Sequence, residues 1–488
     1  MIGLLAGVLA GCSIKEEPTS FVNTDTYYLT KEQCISGLNS TYIPLKSIYT
    51  YTYLIATEGV TDLMSIKSGT LDAQLDISPS NPRFGTTMWQ QGYKGVMYCN
   101  SVIAAIRRAP IDDDDKNSLL AEGMVMRAYY YWFLTCTFGD VPFYTEDVAN
   151  TEILQKVSKL GRMPATATRD SMIKDLEEYV PYLPQVRTND IAGNRAGAAM
   201  GWMLIGKLAQ WNKEWTVARD AMTKLEGIYG DLKQYPLEDI AFSRKNTPES
   251  IFEVQFTYSK TGLQVTTNAA AICMPTRDSG DVYNGVEIPE LGDQATTWTA
   301  LRPNSYFYQA VQPRRVTNDK RLSMNMLWDY KGVAFKSTAT IPWLGTKFWS
   351  YDMYNVADGN NQKVFRYADA VLMQAENYME LNDRDQAVHY LNIVRERAGL
   401  DDYVFKNWDL LREEIQKERG RELLGEYQRK YDLVRWGIWY QMTYDYTDYA
   451  SVKNNMLPCN RYYPIPDVEI AKSGYNLDNK EYEKYGKN

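Results

Sequence analysis

Tyr367-Ala368-Asp369-Ala370-Val371-Leu372-Met373-Gln374-Ala375-Glu376-Asn377-Tyr378-Met379 carries its apolar residues at helical spacing. Ala368, Val371, Leu372, Ala375, Tyr378 and Met379 follow the i, i+3, i+4, i+7 rule and line one face. After the break Leu381-Asn382-Asp383, the set Ala387, Leu391, Val394 and Ala398 repeats the spacing and stops at Gly399, so the two segments read as a helical hairpin. Upstream the pattern recurs in Ala198, Trp202, Ile205 and Ala209, a break at Asn212-Lys213, then Trp215, Ala218, Met222 and Leu225 ending at Gly227. Downstream it recurs in Leu411 and Ile415, a turn near Gly425, then Tyr427, Tyr431, Val434 and Ile438. Helix pairs of about 34 residues, with small residues where partners approach, are the mark of tetratricopeptide-type repeats. The strict repeat consensus is absent, so the assignment rests on the period.

Further helices are expected over Lys31 to Tyr49, Trp89 to Arg107, Lys116 to Phe138 and Arg169 to Leu183. The run Asp112-Asp113-Asp114-Asp115 precedes one of them, where carboxylates meet the positive end of a helix dipole. Calcium binding there is the competing reading, disfavoured by the lack of alternating ligands and of an ordered glycine. Otherwise no cofactor is expected. Between about Tyr229 and Val364 the periodicity fades while aromatics persist, and only Ile251 to Tyr258 reads as strand. The expected fold is therefore mainly α, a tetratricopeptide-like hairpin scaffold with a loop-rich, partly β central insertion. Binding function tends to sit on such loops.

The N-terminus adds a different signal. A short apolar run, Ile2 to Leu9, leads into Leu9-Ala10-Gly11-Cys12 and then the polar Ser13-Ile14-Lys15-Glu16-Glu17. The run is shorter than the roughly 20 residues that span a bilayer, and it reads as a processed signal with Cys12 as the lipidated residue of a lipobox. No Lys or Arg precedes it, which points to a translation start further upstream.

Composition narrows the chemistry. The 488 residues carry 53 Lys and Arg against 61 Asp and Glu, a net charge of −8 with no basic stripe, so nucleic acid is not an expected partner. One histidine, His389, lies within a periodic helix and reads as structural, which leaves no Ser-His-Asp triad or His-rich metal site. Cys34, Cys99, Cys136, Cys273 and Cys459 form no Cys-x-x-Cys pair and are expected as buried free thiols. The 38 Tyr and 12 Trp supply flat amphipathic faces of the kind that stack on sugar rings.

Five segments in order resemble the SusD/RagB family of outer-membrane lipoproteins. They are Arg127 to Phe133 with Phe138-Gly139-Asp140-Val141-Pro142; Asn194 to Ala199 with Trp215 to Ala218; Arg366 to Glu376; Glu418 to Leu423 with Asp432 to Gly437; and Tyr463-Pro464-Ile465-Pro466 with Glu469, Ile470 and Asn476. In and between the segments Glu418 to Leu423 and Asp432 to Gly437, Arg419, Arg421, Glu422, Glu426 and Arg429 read as a scaffold network of charges on adjoining helical turns. The prolines of Tyr463 to Pro466 fix an extended structural segment.

The resemblance implies a non-enzymatic, lipid-anchored protein on the outer face of the outer membrane. Such a protein captures oligosaccharides and delivers them to a SusC-type TonB-dependent transporter, and Glu16-Glu17 resembles the matching export signal. It also implies a division into the signal, 1–12; an N-terminal helical part, 13–228; a ligand-binding insertion, 229–364; and C-terminal helical repeats, 365–488. Family ligands lie on a face formed by N-terminal loops and the insertion, which points to Asp76 to Trp89 and Tyr283 to Trp349. Trp298 and Trp328 are the expected anchors, Tyr283, Tyr306 and Phe84 their flankers, and Arg83 and Asp281 the polar contacts. Trp89, Trp343 and Trp349 are expected to pack inward. A peptide- or glycopeptide-binding relative of the RagB kind is the alternative. A retaining glycosidase would need two carboxylates about 5 Å apart across a cleft.

Overall fold

The computed structural model describes residues 27–66, 74–259, 261–298, 300–314, 318–336 and 341–487. The lipobox with Cys12 and the pair Glu16-Glu17 lie outside the described residues. The long helices are Phe84–Arg108, Asp113–Phe138, Ala165–Tyr179, Ala198–Asn212, Trp215–Tyr229, Tyr367–Glu380, Arg384–Ala398 and Trp408–Glu422. Each packs against the next in the chain, so the hairpin array expected from Ala198 onward extends back to Phe84. Trp215–Tyr229 lies directly on Tyr367–Glu380, which makes everything between them an excursion from a continuous helical stack.

Two predicted helices end earlier than expected because proline intervenes. Lys31–Asn39 passes into a 3-10 turn and restarts as Ile43–Ile48 around Pro44, and Ala165–Tyr179 gives way to a 3-10 turn containing Pro181. Of the Asp run, Asp112 caps Asp113–Phe138 by accepting the Asp115 N–H, and Asp115 pairs with Lys31 at 2.5 Å. Among the described residues no group of three or more His, Cys, Asp or Glu is placed to hold a metal ion. The five cysteines outside the lipobox are free and buried, as expected. No helix of the described residues is long and apolar enough to cross a membrane.

The first two long helices approach closely because glycines face aromatic and aliphatic side chains. A Cβ on Gly95 would stand 2.3 Å from the ring of Tyr130, and one on Gly92 would stand 2.7 Å from Leu134. Tyr130 is fully buried, with its hydroxyl donating to the Thr41 carbonyl, so it has no room to retreat. Gly95→Ala is expected to cost about 2 kcal/mol through overpacking. Urea unfolding checks this, and a loss below about 0.5 kcal/mol would show that the interface relaxes.

In the excursion, Ser250–Val254 pairs antiparallel with Gln362–Arg366, so the boundary expected at 364 falls inside a strand shared with the helical scaffold. The expected strand 251–258 is correspondingly shorter. Met64–Ile66 pairs with Leu301–Pro303, tying the excursion to the N-terminal part. A small core of its own gathers Tyr283, Phe335, Trp343 and Trp349, and Trp343 and Trp349 point inward as expected.

The charged residues near 420 form a scaffold network, but mainly through partners distant in sequence. Arg366 donates to Glu249, Glu422 and Glu426, Arg397 pairs with Glu249 and Glu422, and Arg321 with Asp319, Glu418 and Glu422. Arg419 reaches Asp369 and Asp432, while Arg429 reaches Asp62. The turn after Trp408–Glu422 also differs from expectation. Tyr427 is left-handed (φ 62°) and the next helix starts only at Arg429. The cause is Glu58, whose buried carboxyl oxygens accept the N–H groups of Gly425, Gln428 and Arg429 and so hold the turn open.

These buried acids set opposite pH dependences. Burial raises the Glu58 carboxyl to about 8 against its three N–H donors, and burial raises Asp358 to about 7. Between their ordinary values near 4.5 and 3.8 and these raised ones, the folded state holds protons the unfolded chain has lost, so stability falls as pH rises. Burial opposes ionisation of Glu422 and Asp432 as well, yet the surrounding Arg and Lys side chains hold both below the usual carboxylate range. Their contribution is present above the ordinary range and lost in acid. Stability is therefore expected to peak near pH 5 (roughly) and decline toward pH 8 (about), with Glu58→Gln flattening the decline. Thermal melts across this range test it, and a slope unchanged by the substitution would contradict the assignment.

Candidate functional site

The helix Tyr51–Thr57 begins inside an alternating run, Tyr49-Thr50-Tyr51-Thr52-Tyr53. Tyr49 and Tyr53 are buried, and Tyr51 is left half-buried on the other side. The Tyr51 N–H is held by the Asn268 side chain at 3.1 Å, at the start of the short helix Ala269–Cys273. The same short helix receives the Asp358 carboxylate at the Ala270 N–H and, through the Ala271 carbonyl, accepts the Trp298 N–H at 2.7 Å. One buried anchor thus carries both aromatics.

The result is an aromatic cluster open to solvent. The Trp298 ring meets Tyr51 edge-on at 4.9 Å between centroids, Tyr51 meets Phe84 edge-on at 6.2 Å, and Trp298 remains 42% exposed. Phe84 is the first residue of Phe84–Arg108 and is positioned by the prolyl segment near the C-terminus. The ring of Tyr463 lies against Gly85, and the Asp467 N–H donates to the Pro79 carbonyl. Arg83, immediately before, has a left-handed backbone (φ 54°), and its Nε is buried without a hydrogen-bond partner among the described residues. The same burial shuts that Nε away from solvent, so it offers no donor to a ligand.

The other expected site residues have different surroundings. Trp328 packs edge-on against Tyr308, with Arg314 5.0 Å over its ring, and Arg314 in turn pairs with Asp329. Tyr306 stacks on Tyr446 at 3.8 Å. Tyr283 is fully buried, its hydroxyl donating to the carbonyls of Leu291 and Gly292, and burial pushes that hydroxyl up to about 12. It closes the small sheet Arg277–Ser279, Val282–Tyr283 and Val286–Glu287, and has no face to offer a ligand. Asp281 stands in the turn of that sheet, with its carbonyl accepting the Ile288 N–H. Sequence reasoning brought Trp298, Phe84 and Arg83 to this site but missed Tyr51, Asn268 and Asp358. No local pattern marks Tyr51, because Tyr49 ends the preceding helix Ile43–Ile48 and only Tyr51 and Tyr53 lie in Tyr51–Thr57.

Comparison with known proteins agrees with this architecture. Residues 248–482 match the model of the SusD family, and residues 24–199 match a model described as starch-binding, associating with outer membrane. A SusD-like protein of Formosa agariphila is 25% identical over 94% of this chain and 93% of its own length. A SusD superfamily protein from Bacteroides vulgatus superposes with a TM-score of 0.73 at 21% identity, covering 93% of this chain and 99% of that one. Surface glycan-binding protein A from Bacteroides thetaiotaomicron, solved in complex with laminarihexaose, gives 0.70 at 21% identity over 92% and 98% of the two chains.

Proposed function

Since this chain belongs to the SusD family, we propose that it is a cell-surface lipoprotein that captures glycans on the Trp298, Tyr51 and Phe84 cluster, without catalysis, and passes them to a SusC-type TonB-dependent transporter. Lipidation at Cys12 would hold it to the outer membrane, facing the exterior. The observation that carries the reading is the exposed Trp298 face, fixed from behind by Tyr51 and the Ala271 carbonyl. A preset aromatic plane receives the C–H face of a sugar at little entropic cost. A similar fold solved with laminarihexaose supports a carbohydrate ligand over a peptide. Trp328 and Tyr306, engaged by Arg314 and Tyr446, are assigned no stacking role, and buried Tyr283 is set aside.

The test is native electrophoresis of the chain from Ser13 onward through gels containing starch, laminarin, xylan or pectin. Retarded migration in one of them, with no new reducing ends after incubation, is the expected result. Retardation in none, together with binding to a casein digest, would replace glycan by peptide. Release of reducing ends would make the protein a hydrolase.

A further inference from the structure

A cavity of about 390 Å³ opens where the helix Ile43–Ile48, the turn from Gly193 to Arg195 and the strand Ser250–Val254 meet, and none of Trp298, Tyr51, Phe84 or Arg83 lines it. Its size is within the roughly 300–1,000 Å³ of ligand sites. The floor is apolar: Leu45, Phe252 and Val254 are buried, and Ile43, also in the lining, is 58% exposed. Four consecutive residues, Phe252, Glu253, Val254 and Gln255, make one wall. Successive side chains of a strand point to opposite faces, so a wall of consecutive residues meets the strand at its edge. Glu253 fits this. Its carboxylate is turned away to Lys363, Asn361 and the Asn246 N–H, so what it presents to the cavity is main chain.

That edge is open. Ser250–Val254 pairs with Gln362–Arg366 on one side, and among the described residues no strand lies on the other. The Ser250 and Ile251 carbonyls are closed off by the hydroxyls of Tyr229 and Thr188, at 2.9 and 2.6 Å. Over Phe252 to Gln255 that cover stops, apart from the exposed Gln255 amide, which reaches the Glu253 carbonyl at 3.2 Å. Neither lysine nor proline blunts this stretch, the usual protection of an exposed edge. The charge beside it is positive. Lys46 is exposed and pairs with no carboxylate among the described residues, while Arg195, 5.5 Å over the Tyr42 ring, is neutralised by Glu122. An extended peptide uses all three features: its main chain pairs with the edge, alternate side chains meet the floor, and a carboxylate answers the free cation.

We propose that this edge receives an extended, acidic segment of a partner protein, which adds as a strand along Phe252 to Gln255, sets an apolar side chain on Leu45, Phe252 and Val254, and places an Asp or Glu beside Lys46. The docking surface shares no lining residue with the aromatic site, so the two can be tested apart.

The probe is a cellulose-bound array of acetylated heptapeptides in which Val, Leu or Phe alternates with Asp, Lys or Ser, read with the chain from Ser13 onward. The peptide held most tightly is then titrated by fluorescence anisotropy against the wild type, Lys46→Glu and Trp298→Ala, together with two analogues N-methylated on alternate amides, one in each register. The array is expected to select Asp-bearing peptides. Lys46→Glu should bind about tenfold more weakly at an unchanged melting temperature, and Trp298→Ala within about twofold of wild type. One methylated analogue should lose at least about tenfold and the other stay within about threefold, because only every second amide faces the edge. Capture of no peptide, or of Lys and Asp peptides alike, overturns the proposal, as does full affinity in Lys46→Glu. An equal response to the two methylations would mean that no strand edge is engaged, which overturns it as well. Loss of binding in Trp298→Ala would put the peptide on the aromatic surface as cargo and remove the docking surface.

Discussion

Trp298→Ala is expected to weaken glycan binding about thirtyfold, a loss of about 2 kcal/mol, while leaving the melting temperature unchanged. The ring is 42% exposed, so its removal takes little from the core. Its backbone N–H still reaches the Ala271 carbonyl, so the segment stays in place. What disappears is a preset aromatic face, the kind of centrally placed residue that dominates recognition. Titration of the variant with the retarding polysaccharide gives the number. Tyr283→Phe is the matched control: it removes one buried hydroxyl, should cost about 1 kcal/mol of stability, and should leave binding untouched. Full affinity in Trp298→Ala would move the site elsewhere, with the Trp328 and Tyr308 pair as the next aromatic surface.

Arg366→Ala is expected to destabilise the protein by at least about 3 to 5 kcal/mol and to prevent cooperative folding at 37 °C (about). Its guanidinium is fully buried and bonds Glu249 at 2.6 Å, Glu426 twice at 2.8 Å and Glu422 at 3.1 Å. Without it those carboxylates keep, among the described residues, the cations Arg397, Arg321 and Lys347, and part of their charge is left buried and uncompensated. Arg219→Ala removes an exposed pair with Asp220 and should change almost nothing. Urea unfolding of both variants separates a buried network from surface charge. A loss under about 1 kcal/mol in Arg366→Ala would mean that the network rearranges around the cavity.

The two cases show where sequence reading reaches and where it stops. Helical spacing in Ala368, Val371, Leu372 and Ala375 is a local property, because residues three and four apart meet on one face whatever surrounds the helix. The hairpin array was legible for that reason, as were the inward Trp343 and Trp349. The charge network was legible as scaffold, yet its partners were not. Glu422 meets Arg366, Arg397 and Arg321, contacts that arise only after strand, helix and loop have packed together.

The site divides the same way. Trp298 and Trp328 stand in similar loop text, and nothing within a few residues distinguishes them. Packing does: Arg314 lies over Trp328, while the Trp298 ring is braced on one edge by Tyr51 and left open. Tyr283 looked like a flanker because tyrosine has both an apolar body and a polar tip, and only the carbonyls of Leu291 and Gly292 show that its tip is satisfied inside.

By itself the sequence determined the helical scaffold and the family, because these depend on short-range periodicity and ordered motifs. Tertiary structure alone decided which aromatics face solvent and where the chain turns at Tyr427. Exposure is a difference between neighbours distant in sequence, and that turn is held by Glu58, a carboxylate that reaches its donors only when the N-terminal helix Tyr51–Thr57 docks against the C-terminal part.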